Sequence, residues 1–355
     1  MPSVDAVVVG AGIVGAACAW ALKREGLRVV VWEASDTIGG GATAAGMGHL
    51  AVMDDSEAQF ALTSYSQSLW RELAPTLPKD AEYLPCGSLW VAADDEEMAE
   101  VRRKFDFYST RGSDVEMLDA QQLAEAEPNL RLGLAGGLLM SSDAVCYPPC
   151  AARHLLQGIE VVLGKRAHAI PDAAVTILAT GTAIRELIPE ARVYPKKGHL
   201  LITDRYPGFL NHQLIELGYL KSAHAAESDS VAFNAQPRST GQILIGSSRQ
   251  LGAPDPAIEL HMLERILARA VEYMPGVADL SAIRTWTGFR AATPDQLPLI
   301  GLAPGCDNVY LATGHEGLGI STSLATGRLL ADEILGRDSA IPRAPYSPAR
   351  EFHEH

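Results

Sequence analysis

Cysteine is scarce. The five residues Cys18, Cys86, Cys146, Cys150 and Cys306 are odd in number and form no Cys-x-x-Cys pair. A disulfide framework is therefore not expected, and a reducing cytoplasm fits best. Cys146 and Cys150 flank Tyr147-Pro148-Pro149, which suits an extended loop better than a shared metal, so no metal site is expected. No apolar run is long enough to cross a bilayer. No basic n-region or cleavage site precedes the first apolar run, so no secretory leader is expected. Positive charge is also in short supply: 29 Lys and Arg stand against 43 Asp and Glu, a formal net charge of -14. With no polybasic run or Arg/aromatic interleaving, a nucleic-acid partner is excluded in favour of a small molecule or another protein.

Glycine and alanine, by contrast, are placed where they carry information. Val7-Val8-Val9-Gly10-Ala11-Gly12-Ile13-Val14-Gly15 reads as a buried parallel strand followed by a tight turn, and Ala16 to Glu25 reads as the next helix. Arg28-Val29-Val30-Val31-Trp32 then ends in Glu33, where a carboxylate can accept from both hydroxyls of an adenosine ribose. Strand, turn, helix and spaced acid together predict a bound dinucleotide, with its phosphates at the helix N-terminus. The small-residue stretch from Ser35 to His49 follows almost at once and is expected to be a loop, not a helix, that lets backbone approach a large flat ligand.

Further along, Ser56 to Leu73 has the spacing of an amphipathic helix. Leu89 to Ala92 and Gly137 to Met140 read as strands bracketing a helix from Glu96 to Tyr108, an α+β insertion that begins near residue 86. A helix after Tyr147-Pro148-Pro149 and the buried strand Ala174 to Gly181 return to the first domain. Lys197 to Ile245 has short strands broken by Gly, Pro, Asn and Asp, the pattern of a mainly antiparallel sheet, and Pro256 to Met274 is a core-packing helix. The expected architecture is α/β plus α+β. A Rossmann-type domain over 1–85, 141–194 and 287–340 is joined to a discontinuous antiparallel-sheet domain over 86–140 and 195–286, with 341–355 as a C-terminal tail.

The last third contains Trp286-Thr287-Gly288-Phe289-Arg290, Pro298-Leu299-Ile300-Gly301 and Val309-Tyr310-Leu311-Ala312-Thr313-Gly314-His315-Glu316-Gly317-Leu318-Gly319-Ile320, with a helix from Ser321 to Leu335. With the N-terminal fingerprint, the Ala42-Thr43-Ala44-Ala45-Gly46-Met47 loop and Ala179-Thr180-Gly181, the chain resembles the FAD-dependent D-amino acid oxidase superfamily over nearly its whole length. The branches it resembles are glycine oxidase, sarcosine oxidase and the bacterial D-amino acid and D-hydroxyproline dehydrogenases. The resemblance implies FAD as cofactor. Its pyrophosphate would lie on Gly10, Gly12, Ile13, Val14 and Gly15, and its ribose on Glu33 beside Ala34. Gly41, Ala42, Thr43, Ala45, Gly46, Met47 and Gly48 would run along the remaining phosphate and flavin. Ala179, Thr180 and Gly181 would close the pocket, and Ala167 would touch adenine through its backbone.

Arg290 is the implied carboxylate clamp, because a planar guanidinium holds a carboxylate bidentately. The alternatives are a solvated arginine or an ion pair with Asp295. Gly314, Gly317, Leu318, Gly319 and Ile320 open a helix whose free N–H groups would stabilise negative charge on reduced flavin. His49 and Glu316 follow glycine turns and would shape the pocket or guide a proton; they join Arg290 as catalytic candidates. Arg249 is either a second cation or a strand cap. Asn234 stands where glycine oxidase has an aromatic residue, and Tyr219 is a further substrate-side candidate. Gly288 occupies the place of the cysteine that links flavin in sarcosine oxidases, which implies non-covalent FAD. Leu244 replaces a lysine that assists oxygen there, which leans towards a dehydrogenase.

The implied reaction is hydride transfer from the α-carbon of a small amino or imino acid, with D-proline or cis-4-hydroxy-D-proline favoured. Glycine, sarcosine or D-amino acid oxidase and the FAD subunit of a multi-subunit dehydrogenase stand as alternatives. The electron acceptor (oxygen, a quinone or a partner protein) and a homo- or hetero-oligomeric state are left open.

Overall fold

The computed structural model describes residues 4–218, 229–253 and 255–352. Two compact units emerge, one of residues 1–81, 146–196 and 289–355, the other of residues 82–145 and 197–288. The first is built on a sheet in the order β15-β16-β9-β1-β2-β8, comprising β1 (Ala6–Val9), β2 (Val29–Trp32), β8 (Glu160–Val162), β9 (Val175–Leu178), β15 (Leu299–Leu302) and β16 (Val309–Thr313). Every pairing is parallel except β15 with β16. Ala6 to Val9 are all buried, as the continuous apolar run of a parallel strand covered on both faces requires. Helices α1 (Ile13–Arg24), α2 (Ala42–Ala45), α3 (Glu57–Leu73) and α6 (Pro148–Leu155), the short strand β3 (His49–Leu50) and the last helix, α8 (Gly319–Ile334), complete this unit.

The second unit carries a sheet in the order β14-β10-β13-β12-β11-β4-β6-β5. Its strands are β4 (Ser88–Ala92), β5 (Val115–Asp119), β6 (Gly136–Met140), β10 (Tyr194–Thr203), β11 (Gln213–Glu216), β12 (Ser230–Pro237), β13 (Ile243–Leu251) and β14 (Ala282–Ala292), and both unit boundaries after residue 145 fall inside β10 and β14. The short β7 (Ala144–Val145) and helices α4 (Asp95–Ser109), α5 (Ala120–Ala126) and α7 (Leu260–Tyr273) accompany it. Strand β11 pairs with β4 in parallel, while β12 is antiparallel to both β11 and β13, and β6 to both β4 and β5. Leu214, Phe233, Ile245, Ile266 and Tyr273 share the core between sheet and α7, and the Phe233 and Tyr273 rings stack at 4.9 Å.

Three expectations need correction. Ala42–Ala45 forms one helical turn within the small-residue stretch, since alanines propagate a helix at little cost once Gly41 has turned the chain. The helix after the glycine turn starts at Ile13, so the turn ends sooner than the glycine spacing suggests. Residues from 341 are not simply a tail. Tyr346 is 1% exposed and its hydroxyl donates to the Ala58 carbonyl at 2.6 Å, while Arg350 holds Asp295 bidentately at 2.7 and 2.9 Å. An aromatic anchor and a buried fork-to-fork pair fasten the segment to the first unit.

Candidate active site

Gly10 turns the chain out of β1 with φ +107°. A Cβ there would lie 2.5 Å from the Ala179 oxygen, and one on Gly15 would lie 2.0 Å from the Gly10 oxygen. Neither position can accept a side chain, so α1 begins hard against β1 and the end of β9. Gly12 acts differently. A Cβ on it would meet only Thr43 Oγ1, at 3.2 Å, so its bare backbone opens the turn. The Ile13 N–H donates to that same Thr43 hydroxyl at 2.9 Å, while the neighbouring first-turn N–H groups of α1 have no intrahelical acceptor.

Glu33 is fixed beside this turn. One carboxylate oxygen accepts from the Ala11 N–H at 2.7 Å; the other accepts from the Ser35 N–H and hydroxyl at 2.8 and 2.9 Å. Lone pairs remain for a diol. The Gly164 and Lys165 N–H groups donate to the Ser35 and Glu33 carbonyls, which brings the segment carrying half-buried Ala167 alongside. Ala34 is exposed on the same turn.

The loop from Gly41 to Leu50 is fastened to the start of α8. Ser321 Oγ donates to the His49 carbonyl at 2.9 Å and accepts from the Ala51 N–H, Trp70 Nε1 donates to the Ile320 carbonyl at 3.1 Å, and a Cβ on Gly46 would reach Ile320 Cδ1 at 3.0 Å. Met47 and Gly48 are buried, and the Gly48 carbonyl accepts from the Cys146 N–H. A Cβ on Gly319 would lie 3.5 Å from Val14 Cγ2, so the first turns of α1 and α8 adjoin. Deeper in the pair, a Cβ on Gly327 would come 2.5 Å from the Ala17 oxygen. Two positive helix ends thus converge, a ready site for an anion. Gly327 carries its own sequence signal, since a glycine inside a helix, costing about 1 kcal/mol against alanine, is a sign of close packing.

On the β9 side, the Ala179 N–H donates to the Val9 carbonyl, Thr313 Oγ1 donates to the Gly181 carbonyl at 3.0 Å, and Thr180 Oγ1 is buried without a partner. A Cβ on Gly314, which has φ +79°, would clash with Thr293 Cγ2 at 2.6 Å. The adjoining His315 bonds Thr326 Oγ1 at 3.0 Å, and burial pushes its pKa down to about 3. It is a core group that fastens the turn.

Beyond the turn stands a compact charged cluster, every member of which belongs to the first unit. A Cβ on Gly317 would lie 3.1 Å from Arg290 Cδ and 3.2 Å from its Nε, so the arginine crosses directly over this glycine. The Glu316 N–H donates to the Ala291 carbonyl at 2.9 Å, and its Oε1 accepts from Lys196 Nζ. Glu316 Oε2 is buried without a partner, as is His49 Nε2. Burial lowers the His49 pKa to about 4, and the Arg290 charge adds to the effect. Burial also lowers the Arg290 pKa, with Glu316 opposing it. Asp295 is held by Arg350, which places the arginine–Asp295 ion pair elsewhere than at Arg290.

Sequence reasoning thus named three residues that the fold brings together, His49, Arg290 and Glu316, and missed Lys196. Its only signal was its place beside Lys197 at the start of β10. In the second unit, Asn234 is buried on β12 opposite Gly246, and Arg249 faces Ser230 across the same strand pair. Leu244 is buried on β13. Tyr219 lies outside the described residues.

The glycine opening at Gly12, the two helix ends, the fixed Glu33 carboxylate and the orphaned Thr180 hydroxyl fit a dinucleotide carrying a flat ring system. The comparisons agree. Residues 5–333 match the family described as FAD dependent oxidoreductase, DAO. Glycine oxidase of Pseudomonas aeruginosa is 29% identical over 377 residues, covering 97% of this chain and 98% of that protein. The hydrogen cyanide synthase subunit HcnC of the same organism is 27% identical over 415 residues, covering 98% and 96%. The crystal structure of glycine oxidase from Geobacillus kaustophilus superposes with a TM-score of 0.88 at 25% identity, over 98% of this chain and 99% of that one.

Proposed function

This chain belongs to the FAD dependent oxidoreductase family and is an FAD-dependent amino acid oxidoreductase; we propose that it is a dehydrogenase whose substrate is a small cyclic imino acid, D-proline or cis-4-hydroxy-D-proline. The observation that carries the carboxylate-bearing substrate is Arg290, drawn across Gly317 into a cluster with His49 and Glu316. The cyclic ring is supported by the stretch Gly246-Ser247-Ser248-Arg249, which resembles the hydroxyproline dehydrogenase branch more than glycine oxidase. A partly desolvated guanidinium there is built to take a carboxylate and hold the α-carbon at one height and angle. FAD, when bound, supplies the hydride acceptor for the C–N oxidation.

This chain's own contribution is orientation and charge. Gly10, Gly12, Ile13, Val14 and Gly15 would receive the pyrophosphate, Glu33 the ribose and Ala167 the adenine. The loop Gly41 to Gly48 and Ala179 to Gly181 would enclose the rest. The turn from Gly314 to Leu318 leads into α8, whose first-turn N–H groups, at Gly319 and Ile320, have no intrahelical acceptor and would face the place where negative charge develops. His49 stays neutral above its lowered pKa, so Arg290 is the cation the carboxylate meets. Gly288 offers no thiol for a covalent link, which supports non-covalent FAD. Leu244 places an alkyl group where sarcosine oxidases are expected to carry a lysine, which favours an acceptor other than oxygen.

A second reading is favoured by the likeness to HcnC, named as a subunit of a synthase. In it, electrons leave this chain through a partner protein. Glycine oxidase activity is the third outcome to be tested. The deciding experiment is anaerobic bleaching of the purified flavoprotein with glycine, sarcosine, D-alanine, D-proline and cis-4-hydroxy-D-proline, followed by air. Bleaching by the cyclic D-imino acids with slow reoxidation is expected. Bleaching by glycine or sarcosine with rapid reoxidation would make the protein an oxidase.

A further inference from the structure

Glu316 carries two costs that nothing in the fold requires of a glutamate. Its φ is +43°, a left-handed conformation that disfavours a side chain of this type, and one of its carboxylate oxygens is buried without a partner. The side chain is only 7% exposed. Its other oxygen is bound by Lys196, and its backbone N–H is bound by the Ala291 carbonyl, next in sequence to Arg290. The residue is thus fixed at two points, its backbone by Ala291 and its carboxylate by Lys196, with one acceptor oxygen left over, beside the guanidinium that crosses Gly317. A simple structural ion pair would use both oxygens or place the idle one in water.

We propose that Glu316 Oε2 accepts the N–H of the substrate's amino or imino nitrogen, with Lys196 as the positioning residue that holds the carboxylate in place. The inference rests on the reading of Arg290 as the carboxylate clamp. Together the two residues match the two poles of an amino acid: a carboxylate on Arg290 and a nitrogen on Glu316, with the α-carbon between them. The site is therefore selective for ligands with an N–H next to the carbon bearing the carboxylate, and a ring oxygen at the same place is rejected because two acceptors face each other.

The test uses the oxidised holoenzyme and two unreactive ligands of nearly identical shape, pyrrole-2-carboxylate, with a ring N–H, and furan-2-carboxylate, with a ring oxygen. Affinity is read from the shift of the flavin absorption band, so no turnover is needed. Wild type is expected to bind the pyrrole at least about tenfold more tightly, the scale of one hydrogen bond to a charged group. In Glu316→Gln, Lys196 should retain the amide oxygen, turn the NH₂ towards the ligand and abolish or reverse the preference. An unchanged ratio in that variant, or no preference in wild type, overturns the proposal. If Glu316→Gln is isolated without flavin, Lys196→Met carries the test, with an expected fall of the ratio below about threefold and an unchanged ratio as the refutation. Arg290→Met separates the underlying reading: both ligands should weaken together, and if neither does, the clamp assignment fails independently.

Discussion

Gly317 and Arg290 are in contact through the absence of a side chain: the arginine's Cδ and Nε lie 3.1 and 3.2 Å from where a Cβ on Gly317 would stand. The turn that opens α8 therefore sets the height of the clamp. Gly317→Ala, also strained by φ +89° at this residue, should displace the guanidinium while the α1 turn is left intact. KM should rise by about tenfold or more, as expected of a misplaced positioning group, and the flavin content measured alongside reads any disturbance of the flavin-side turn itself. Steady-state kinetics with the best substrate checks it; an unchanged KM would remove Arg290 from the carboxylate site.

Arg290 itself makes a stronger prediction. Loss of a partly buried cation that pairs with a ligand charge costs about 2–5 kcal/mol, so Arg290→Met should lower kcat/KM by a factor between about 30 and about 5,000. Arg290→Lys should recover little, since a point charge does not reproduce the fork. Rapid-mixing measurement of flavin reduction distinguishes lost binding from lost chemistry.

At Gly15 the obstacle is backbone, because an added Cβ would sit 2.0 Å from the Gly10 oxygen. Gly15→Ala should therefore cost about 1–3 kcal/mol and diminish flavin retention together with thermal stability. Gly12→Ala, with only the Thr43 hydroxyl to meet, should leave the melting temperature of flavin-free protein nearly unchanged and weaken FAD alone. Calorimetry and the flavin-to-protein absorbance ratio read the two effects separately.

His315 is buried and neutral, its pKa pushed down to about 3 from an ordinary 6.5. Below pH 6.5 the unfolded chain binds a proton that the folded chain refuses, so the folded state loses stability as pH falls from 6.5 towards 3. The slope from this residue approaches about 1.4 kcal/mol per pH unit. His315→Gln should keep the Thr326 contact and show a shallower acid loss than wild type. Chemical denaturation at pH 7, 6 and 5 gives the comparison, and parallel curves would contradict it.

Much of the cofactor side of this protein is written locally. Gly10, Gly12 and Gly15 sit within a few residues of β1, and Glu33 directly follows the very next strand. Strand period, glycine spacing and one acid therefore suffice to read the turn, the parallel sheet and a bound dinucleotide, while FAD in particular came from the family resemblance of the later loops. The amphipathic α3 and the core face of α7 were legible for the same reason. The chemistry side was not. Lys196 reaches Glu316 across 120 positions of sequence, and Ser321 reaches His49 across 272. The fate of Asp295 was decided by Arg350, in a segment that looked like a tail. Periodicity and turn chemistry operate over a few residues. Which side chains share a buried volume is fixed only when distant segments pack, and the desolvation that lowers the pKa of His49 and leaves one oxygen of Glu316 without a partner exists only in that packed state.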